Sequence, residues 1–161
     1  MGLGVVVISL ILGAGLPLID KIRDRNTIIQ TKNLFFTLNL NIDEILDSGP
    51  GARRALEPFE VSHGEFIVDD GQDIFLWRMK TKSQIIDVGY TSKEGNVEMF
   101  LEETKVKDEY LINLRLDYNQ KADLVLDSKY GNPFVGSYRF FIEHTGQYSA
   151  DGKPQLKISI I

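Results

Sequence analysis

The first nineteen residues, Met1 to Ile19, contain no Asp, Glu, Lys or Arg. As an α-helix rising ~1.5 Å per residue, this run would span roughly 28 Å, close to the thickness of the hydrocarbon layer of a membrane. Its glycines, alanine and serine would let helices pack closely in an apolar environment. Pro17 removes one backbone donor and predicts a kink or soft point near residues Gly13 to Pro17. We therefore predict an apolar helix of membrane-spanning length.

The next segment, Asp20 to Ser48, has no glycine or proline and then meets a strong stop at Gly49-Pro50-Gly51. Residues 34 to 42 alternate like a half-buried strand, yet we favour a helix because the amphipathic end of the segment closes cleanly at Gly49. The joined helix of about 47 residues would be roughly 70 Å long. Its second half must pack on the rest of the chain or on neighbouring chains. The apolar stripe of this segment consists of Ile22, Ile28, Ile29, Phe35, Phe36, Leu38, Ile42, Ile45 and Leu46.

Beyond Gly51 the apolar period changes from 3.6 to 2, which predicts strands. The clearest strand covers Tyr110 to Tyr118, and the runs on either side of Gly71-Gln72 predict a hairpin. Seven or eight short strands in about 110 residues fit an antiparallel β-sandwich of immunoglobulin-like size. The runs beside Gly71-Gln72 are Phe66 to Asp70 and Ile74 to Met79. The remaining predicted strands are Val97 to Leu101, Tyr138 to Ile142 and Leu156 to Ile160.

Charged residues are distributed unevenly along the chain. The 161 residues include 18 Lys and Arg and 23 Asp and Glu, for a formal net charge of -5, and every charged residue follows Ile19. We assign residues 1–48 to a hydrophobic and then amphipathic helix and residues 49–161 to a β-sandwich head. The acidic balance argues against a nucleic-acid partner. The chain has no cysteine, which excludes disulfides, a thiol nucleophile and thiolate metal ligands.

Three groups of polar residues are candidates for chemistry. Asp69 to Asp73 offers carboxylates but lacks the ligand spacing of a calcium loop, so we interpret it as a turn. The adjacent pair Glu102-Glu103 points to opposite faces of a strand. His63 and His144 are the only histidines, and Ser62 beside His63 has no orienting acid in sequence. The sequence therefore predicts no catalytic residue, no metal site, no cofactor and no small-molecule substrate.

The membrane topology has two interpretations. A secretory signal peptide would carry a basic segment before its apolar run and a small-residue cleavage site after it, and neither is seen. Lys21, Arg23 and Arg25 follow the apolar run, and the positive-inside rule would hold that end in the cytoplasm. Either the head is cytoplasmic, or Met1 is a processed terminus from which a basic leader has been removed.

The layout of an uncharged helix, a proline near its end, an amphipathic continuation and a strand-rich head resembles a processed type IV pilin. Gly13-Ala14-Gly15-Leu16-Pro17-Leu18-Ile19 is similar to the passage of small residues followed by proline in pilin helices. The runs Gly49 to Leu56 and His63 to Asp70 resemble the first head strands of small archaeal pilin-like proteins. Bacterial-type pilins usually have glutamate at the fifth mature position, where this chain has Val5, so the resemblance is closer to archaeal pilins and archaellum-type filament proteins.

This resemblance implies a structural subunit of an extracellular type IV pilus-like or archaellum-like filament, serving adhesion or motility, without enzymatic activity. The precursor would enter the cytoplasmic membrane, be trimmed by a prepilin peptidase and be added by assembly machinery to a homopolymer with helices inside and heads outside. The alternative is a single-pass membrane-anchored β-sandwich binding module associated with a filament motor or surface layer. The expected subunit-packing residues are Val5, Val6, Ile8, Leu12, Gly13, Gly15, Leu16, Pro17, Ile19, Phe35 and Phe36.

Overall fold

The chain is mainly β with one N-terminal helix, as the sequence predicts. The computed structural model describes the backbone from Gly2 to Ile161 and the side chains from Leu18 onward. Within that part, the elements are α1 (Gly2–Ser48), β1 (Arg53–Asp69), β2 (Ile74–Thr81), β3 (Thr91–Glu94), β4 (Val97–Glu103), β5 (Tyr110–Asp117), β6 (Asp123–Ser128), β7 (Phe134–Tyr148) and β8 (Pro154–Ile160).

The helix α1 runs without a break through residues 34 to 42, so the helical interpretation of that stretch is confirmed. It ends at Ser48 because Gly49 adopts a φ of +80°, in the left-handed region that glycine enters without steric cost. The Gly49 amide donates to the carbonyl of Ile45 at 3.0 Å, and the Gly51 amide donates to the carbonyl of His144 at 2.9 Å. The stop after the helix therefore also ties the helix to the sheet.

The strands form one hydrogen-bonded sheet in the order β3-β4-β5-β2-β1-β7-β8-β6. Strand β1 joins its two halves, because its last residues pair with β2 while its earlier ones pair with β7. The β1–β7 register shifts between Leu56 and Phe59 and again between Val61 and Phe66, and such bulges bend a strand. The sheet thus curls as a single unit, and the two separate sheets of the expected sandwich are not confirmed.

The expected antiparallel pairing is confirmed for every described pair except β6 and β8, which run parallel. These two strands are not consecutive in the chain, since β7 lies between them in sequence, so no tight turn has to connect them. Strands β1 and β7, with 17 and 15 residues, are longer than the short strands predicted. The alternation pattern does not identify β3 or β6, both of which lie at sheet edges and have six residues or fewer.

One hydrophobic core lies between the sheet and the second half of α1. The helix is anchored there by Phe35, whose ring meets the ring of Phe66 edge to face at 5.9 Å between centroids. Residues 28 to 45 of the helix therefore pack on the head of their own chain, one of the two locations that the sequence left open. The buried helix residues are Ile28, Phe35, Leu38, Ile42 and Ile45, and the same core includes Phe59, Phe66, Phe75, Trp77, Leu114 and Phe140 of the sheet.

Candidate subunit interface on the N-terminal helix

The described part of α1 has two apolar faces, and only one of them is covered. Along the uncovered face, side chains recur at intervals of four, seven, seven and four residues, which is the spacing of a single helical stripe. We call this set the outer stripe. It consists of Leu18, Ile22, Ile29, Phe36 and Leu40.

The outer stripe is open to solvent along most of its length. Leu18 is 59% exposed, Ile22 53%, Ile29 48% and Leu40 63%, while Phe36 is half-buried. Single exposed apolar residues are common on protein surfaces, but an aligned row of them is a candidate surface for contact with another molecule. The outer stripe is therefore the candidate site.

The outer stripe points away from the head. With about 100° of rotation per residue, its centre lies about 150° around the helix axis from the centre of the buried face. The adjacent residues Phe35 and Phe36 differ in burial, since Phe35 is fully buried in the core, whereas Phe36 is half-buried and packs against the core toward the C-terminal end of the outer stripe. A molecule that contacts the outer stripe would approach from the side opposite the sheet.

A polar network fixes the helix on the head at Asn39. The Asn39 side-chain oxygen accepts hydrogen bonds from the Tyr118 hydroxyl at 2.8 Å and from the Asn96 amide at 3.0 Å, while its own amide donates to Asp43 at 2.9 Å. Burial raises the pKa of the Tyr118 phenol, and the Asp43 carboxylate raises that pKa further, so the hydroxyl keeps the proton that it donates.

Three other polar contacts hold the described helix on the head, at residues 24, 32 and 44. The Thr81 hydroxyl donates to Asp24 at 2.6 Å, and Arg54 pairs with Glu44 at 3.1 Å. Lys32, which lies 5.9 Å from the centre of the Phe36 ring, forms an ion pair with Glu94. With these contacts spread along its length, α1 presents the outer stripe at a set orientation relative to the sheet.

Replacing Asn39 by alanine is expected to lower the free energy of unfolding by roughly 2–3 kcal/mol, because the buried Tyr118 hydroxyl then loses its acceptor. Tyr118→Phe is the matched control. It removes the donor together with the need for an acceptor, so we expect a cost of only about 1 kcal/mol. Urea denaturation of the full chain in detergent measures both values, and equal costs would show that the network does not depend on Asn39.

The structure places the expected subunit-packing residues in three different situations. Ile19 is 60% exposed, Phe36 lies in the outer stripe, and Phe35 is buried against the head of its own chain. Phe35 therefore has no exposed surface to offer a second subunit. The side chains of Val5, Val6, Ile8, Leu12, Gly13, Gly15, Leu16 and Pro17, and the soft point predicted among them, lie outside the described residues.

Sequence reasoning grouped the apolar residues of the helix into one stripe, although they belong to two. Ile22 and Ile29 are exposed on the side opposite the head and Phe36 is half-buried, whereas Ile42 lies on the covered face. The stripe predicted from the sequence does not include Leu18 and Leu40. The regular spacing of four and seven residues that links Leu18 to Leu40 is the signal that could have separated the two faces.

No helix in the described part of the chain is long and apolar enough to cross a membrane.

Two aspartates of the segment Asp69 to Asp73 have structural partners. Asp69 accepts hydrogen bonds from the Gly71 and Gln72 amides, both at 3.1 Å, which confirms the turn interpretation. The buried Asp73 accepts from the Leu124 amide and from Lys153, each at 2.8 Å, and so links the turn to the far edge of the sheet.

The two histidines and Trp77 lie in different environments. His63 is exposed within β1, and its Nδ1 lies 3.4 Å from the Ser62 hydroxyl. His144 is buried in β7, where Nδ1 accepts a hydrogen bond from the Gly146 amide at 3.0 Å. Trp77 is fully buried, and its indole donates to the His63 carbonyl at 2.8 Å. The two histidines therefore do not share a site.

Comparisons of the chain with models of protein families, with curated proteins and with solved structures gave no match.

Proposed function

We propose that this chain is a structural subunit of an extracellular filament of the type IV pilus-like or archaellum-like kind. The observation that carries the proposal is the outer stripe, which is exposed along α1 on the side opposite the head. A helix that only held one head would need apolar residues on its covered face alone. An exposed second face gives the helix a surface for neighbouring helices.

The uncharged run of the sequence extends this surface. Met1 to Ile19 has no charged residue on any face, and the outer stripe starts at Leu18, inside that run. In the proposed filament, apolar segments of many subunits pack together around the axis, and small residues allow the close approach. Before assembly the same segments lie in the cytoplasmic membrane, where a prepilin peptidase processes the precursor.

The head would form the outer sleeve of the filament. Its sheet covers the opposite side of α1, so packing through the outer stripe places the heads outward. Within the proposal, the single curled sheet plays the part of the immunoglobulin-like sandwich of archaeal pilins. The chain acts by self-association, for adhesion or motility, and needs no catalytic residue or cofactor.

The decisive experiment is cryo-electron microscopy of filaments sheared from the surface of cells that produce this chain, with side chains traced. We expect a helical repeat of this chain, with Leu18, Ile22 and Ile29 against neighbouring helices and the heads outside. Filaments that trace as another protein, with this chain retained in the membrane fraction, would overturn the proposal. That result would favour the membrane-anchored binding module, whose apolar segment stays in lipid.

A further inference from the structure

The side of α1 that carries the outer stripe has opposite charges toward its two ends. Arg25 lies between Ile22 and Ile29 near the N-terminal end of the described stripe, and Asp47 follows Leu40 at the other end. With about 100° of rotation per residue, Asp47 lies in line with the centre of the stripe and Arg25 lies about 40° from it. Both side chains are exposed. A molecule on the outer stripe therefore meets a cation toward one end and an anion at the other.

On the helix itself, each end of this side holds charge of one sign. Asp43 lies about 40° from the centre of the stripe and adds a second carboxylate at the C-terminal end. Residues 43 to 47 hold three carboxylates and no cation. The carboxylates close to Arg25 in sequence, Asp20 and Asp24, lie about 180° and 140° around the helix axis from the centre of the stripe. They therefore do not neutralise the cation on this side.

Arg25 and Asp47 are not paired within the described part of the chain. Among the side chains of residues 18 to 161, no ion pair includes either of them, although Lys121 of the head lines a cleft with Asp47. The two residues are 22 positions apart on one continuous helix, about 33 Å, so they cannot meet in a single chain. Each is therefore available to a second molecule.

We propose that Arg25 of one subunit pairs with Asp47 of a second copy, and that this pair sets the register in which neighbouring helices meet through their outer stripes. The inference rests on the proposed function, which supplies the filament and, because all uncharged runs start in one membrane, the parallel direction of the helices. The neighbours are then offset by about 33 Å along the helix axis. Each subunit offers Arg25 to one neighbour and Asp47 to another, so the contact repeats along a filament.

The offset also suits the apolar residues. At a shift of 22 positions, Leu18 of one helix lies level with Leu40 of its neighbour. Ile29 of the neighbour lies level with position 7 of the first helix, inside the run without charged residues. Without an offset, Arg25 would face Arg25 and Asp47 would face Asp47, and like charges in contact are strongly disfavoured. Both the charges and the apolar residues therefore favour shifted neighbours.

The head covers a length of helix close to one such step. Its Thr81 donates to Asp24 of the helix, and its Pro154 lines a cleft with Asp47. These two helix residues are 23 positions apart, which is about 35 Å. Neighbours offset by about 33 Å thus carry their heads at successive levels along the filament.

Exchanging the two charges tests the pair in the full chain. Arg25→Glu alone and Asp47→Arg alone are each expected to lower the yield of sheared filaments about tenfold or more, because like charges then face each other at every contact. The chain with both changes has an opposite pair again, and we expect most of the yield to return. Single variants with the unchanged yield, or a double variant as defective as the singles, overturn the inference.

Arg23→Glu is the matched control. It makes the same change two positions earlier, on an exposed side chain about 120° around the helix from the centre of the outer stripe. We expect a yield close to that of the unchanged chain, and the fluorescence of the buried Trp77 shows whether each variant is folded. A loss as large as that of Arg25→Glu would show that any acidic residue at this level prevents assembly, and would also overturn the pair.

Cross-linking measures the register itself, because the chain has no cysteine of its own. Filaments of the chain carrying both Arg25→Cys and Asp47→Cys are treated with a short bismaleimide and separated under denaturing conditions. We expect a ladder of dimers, trimers and larger products, and only monomers from each single-cysteine chain. Dimers alone from the double variant would mean that two copies pair antiparallel, and dimers from a single-cysteine chain would mean that neighbours have no offset. Either result overturns the inference.

The unchanged chain separates this inference from the proposed function. If it forms filaments while filaments of the double-cysteine chain give no ladder, the offset alone is contradicted and the filament proposal stands. If the unchanged chain forms no filaments, both are contradicted.

Discussion

Replacing Phe35 by alanine is expected to lower the free energy of unfolding by about 3–5 kcal/mol, the usual cost of removing a buried phenyl ring. Phe35 is fully buried where the helix meets the sheet, and its ring packs against Phe66. The loss would leave a cavity between the two elements. Urea denaturation of the full chain in detergent measures the effect, with the fluorescence of Trp77, the only tryptophan and a fully buried one, as the signal.

The matched control is Phe36→Ala, which deletes the same atoms one residue farther along the helix. Phe36 is half-buried and belongs to the outer stripe, so we expect a loss of only about 1 kcal/mol in the isolated subunit. Equal losses for the two variants would contradict the assignment of Phe35 as the more deeply buried of the two residues.

Replacing Ile29 by aspartate is expected to abolish filament formation while the subunit stays folded. Ile29 is 48% exposed in the single chain, so a charge there remains solvated and costs the subunit little. In the proposed filament the same position lies between apolar helices, where an unpaired carboxylate is strongly disfavoured. Electron microscopy of sheared material gives the filament yield, and the Trp77 unfolding curve reports on the fold of the subunit.

Gln30→Asp is the control for this variant. It introduces the same charge one residue away, on an exposed side chain about 100° around the helix from Ile29. We expect filaments at a yield close to that of the unchanged chain. Normal filaments from the Ile29→Asp chain would show that the outer stripe is not a subunit contact, and the proposed function would lose the observation that carries it.

Local patterns predicted much of the secondary structure. The uninterrupted helix up to Gly49 follows from the lack of glycine and proline after Ile19, and the alternation from Tyr110 to Tyr118 identifies β5. These signals depend on neighbouring residues alone, so they can be recognised without knowledge of the fold. The edge strands β3 and β6 lack such a signal, because four and six residues are too few for a clear alternation.

The sequence by itself determined that a long helix precedes a strand-rich head and that charge is excluded from the first nineteen residues. Only the tertiary structure decided which side of the helix the head covers, and therefore that Phe35 is a core residue while Ile29 is exposed. It also decided that β1 bends to join all strands in one sheet and that β6 runs parallel to β8. The physical reason is the same in each case: both burial and strand pairing depend on contacts between residues far apart in the chain, which a local pattern of apolar residues does not specify.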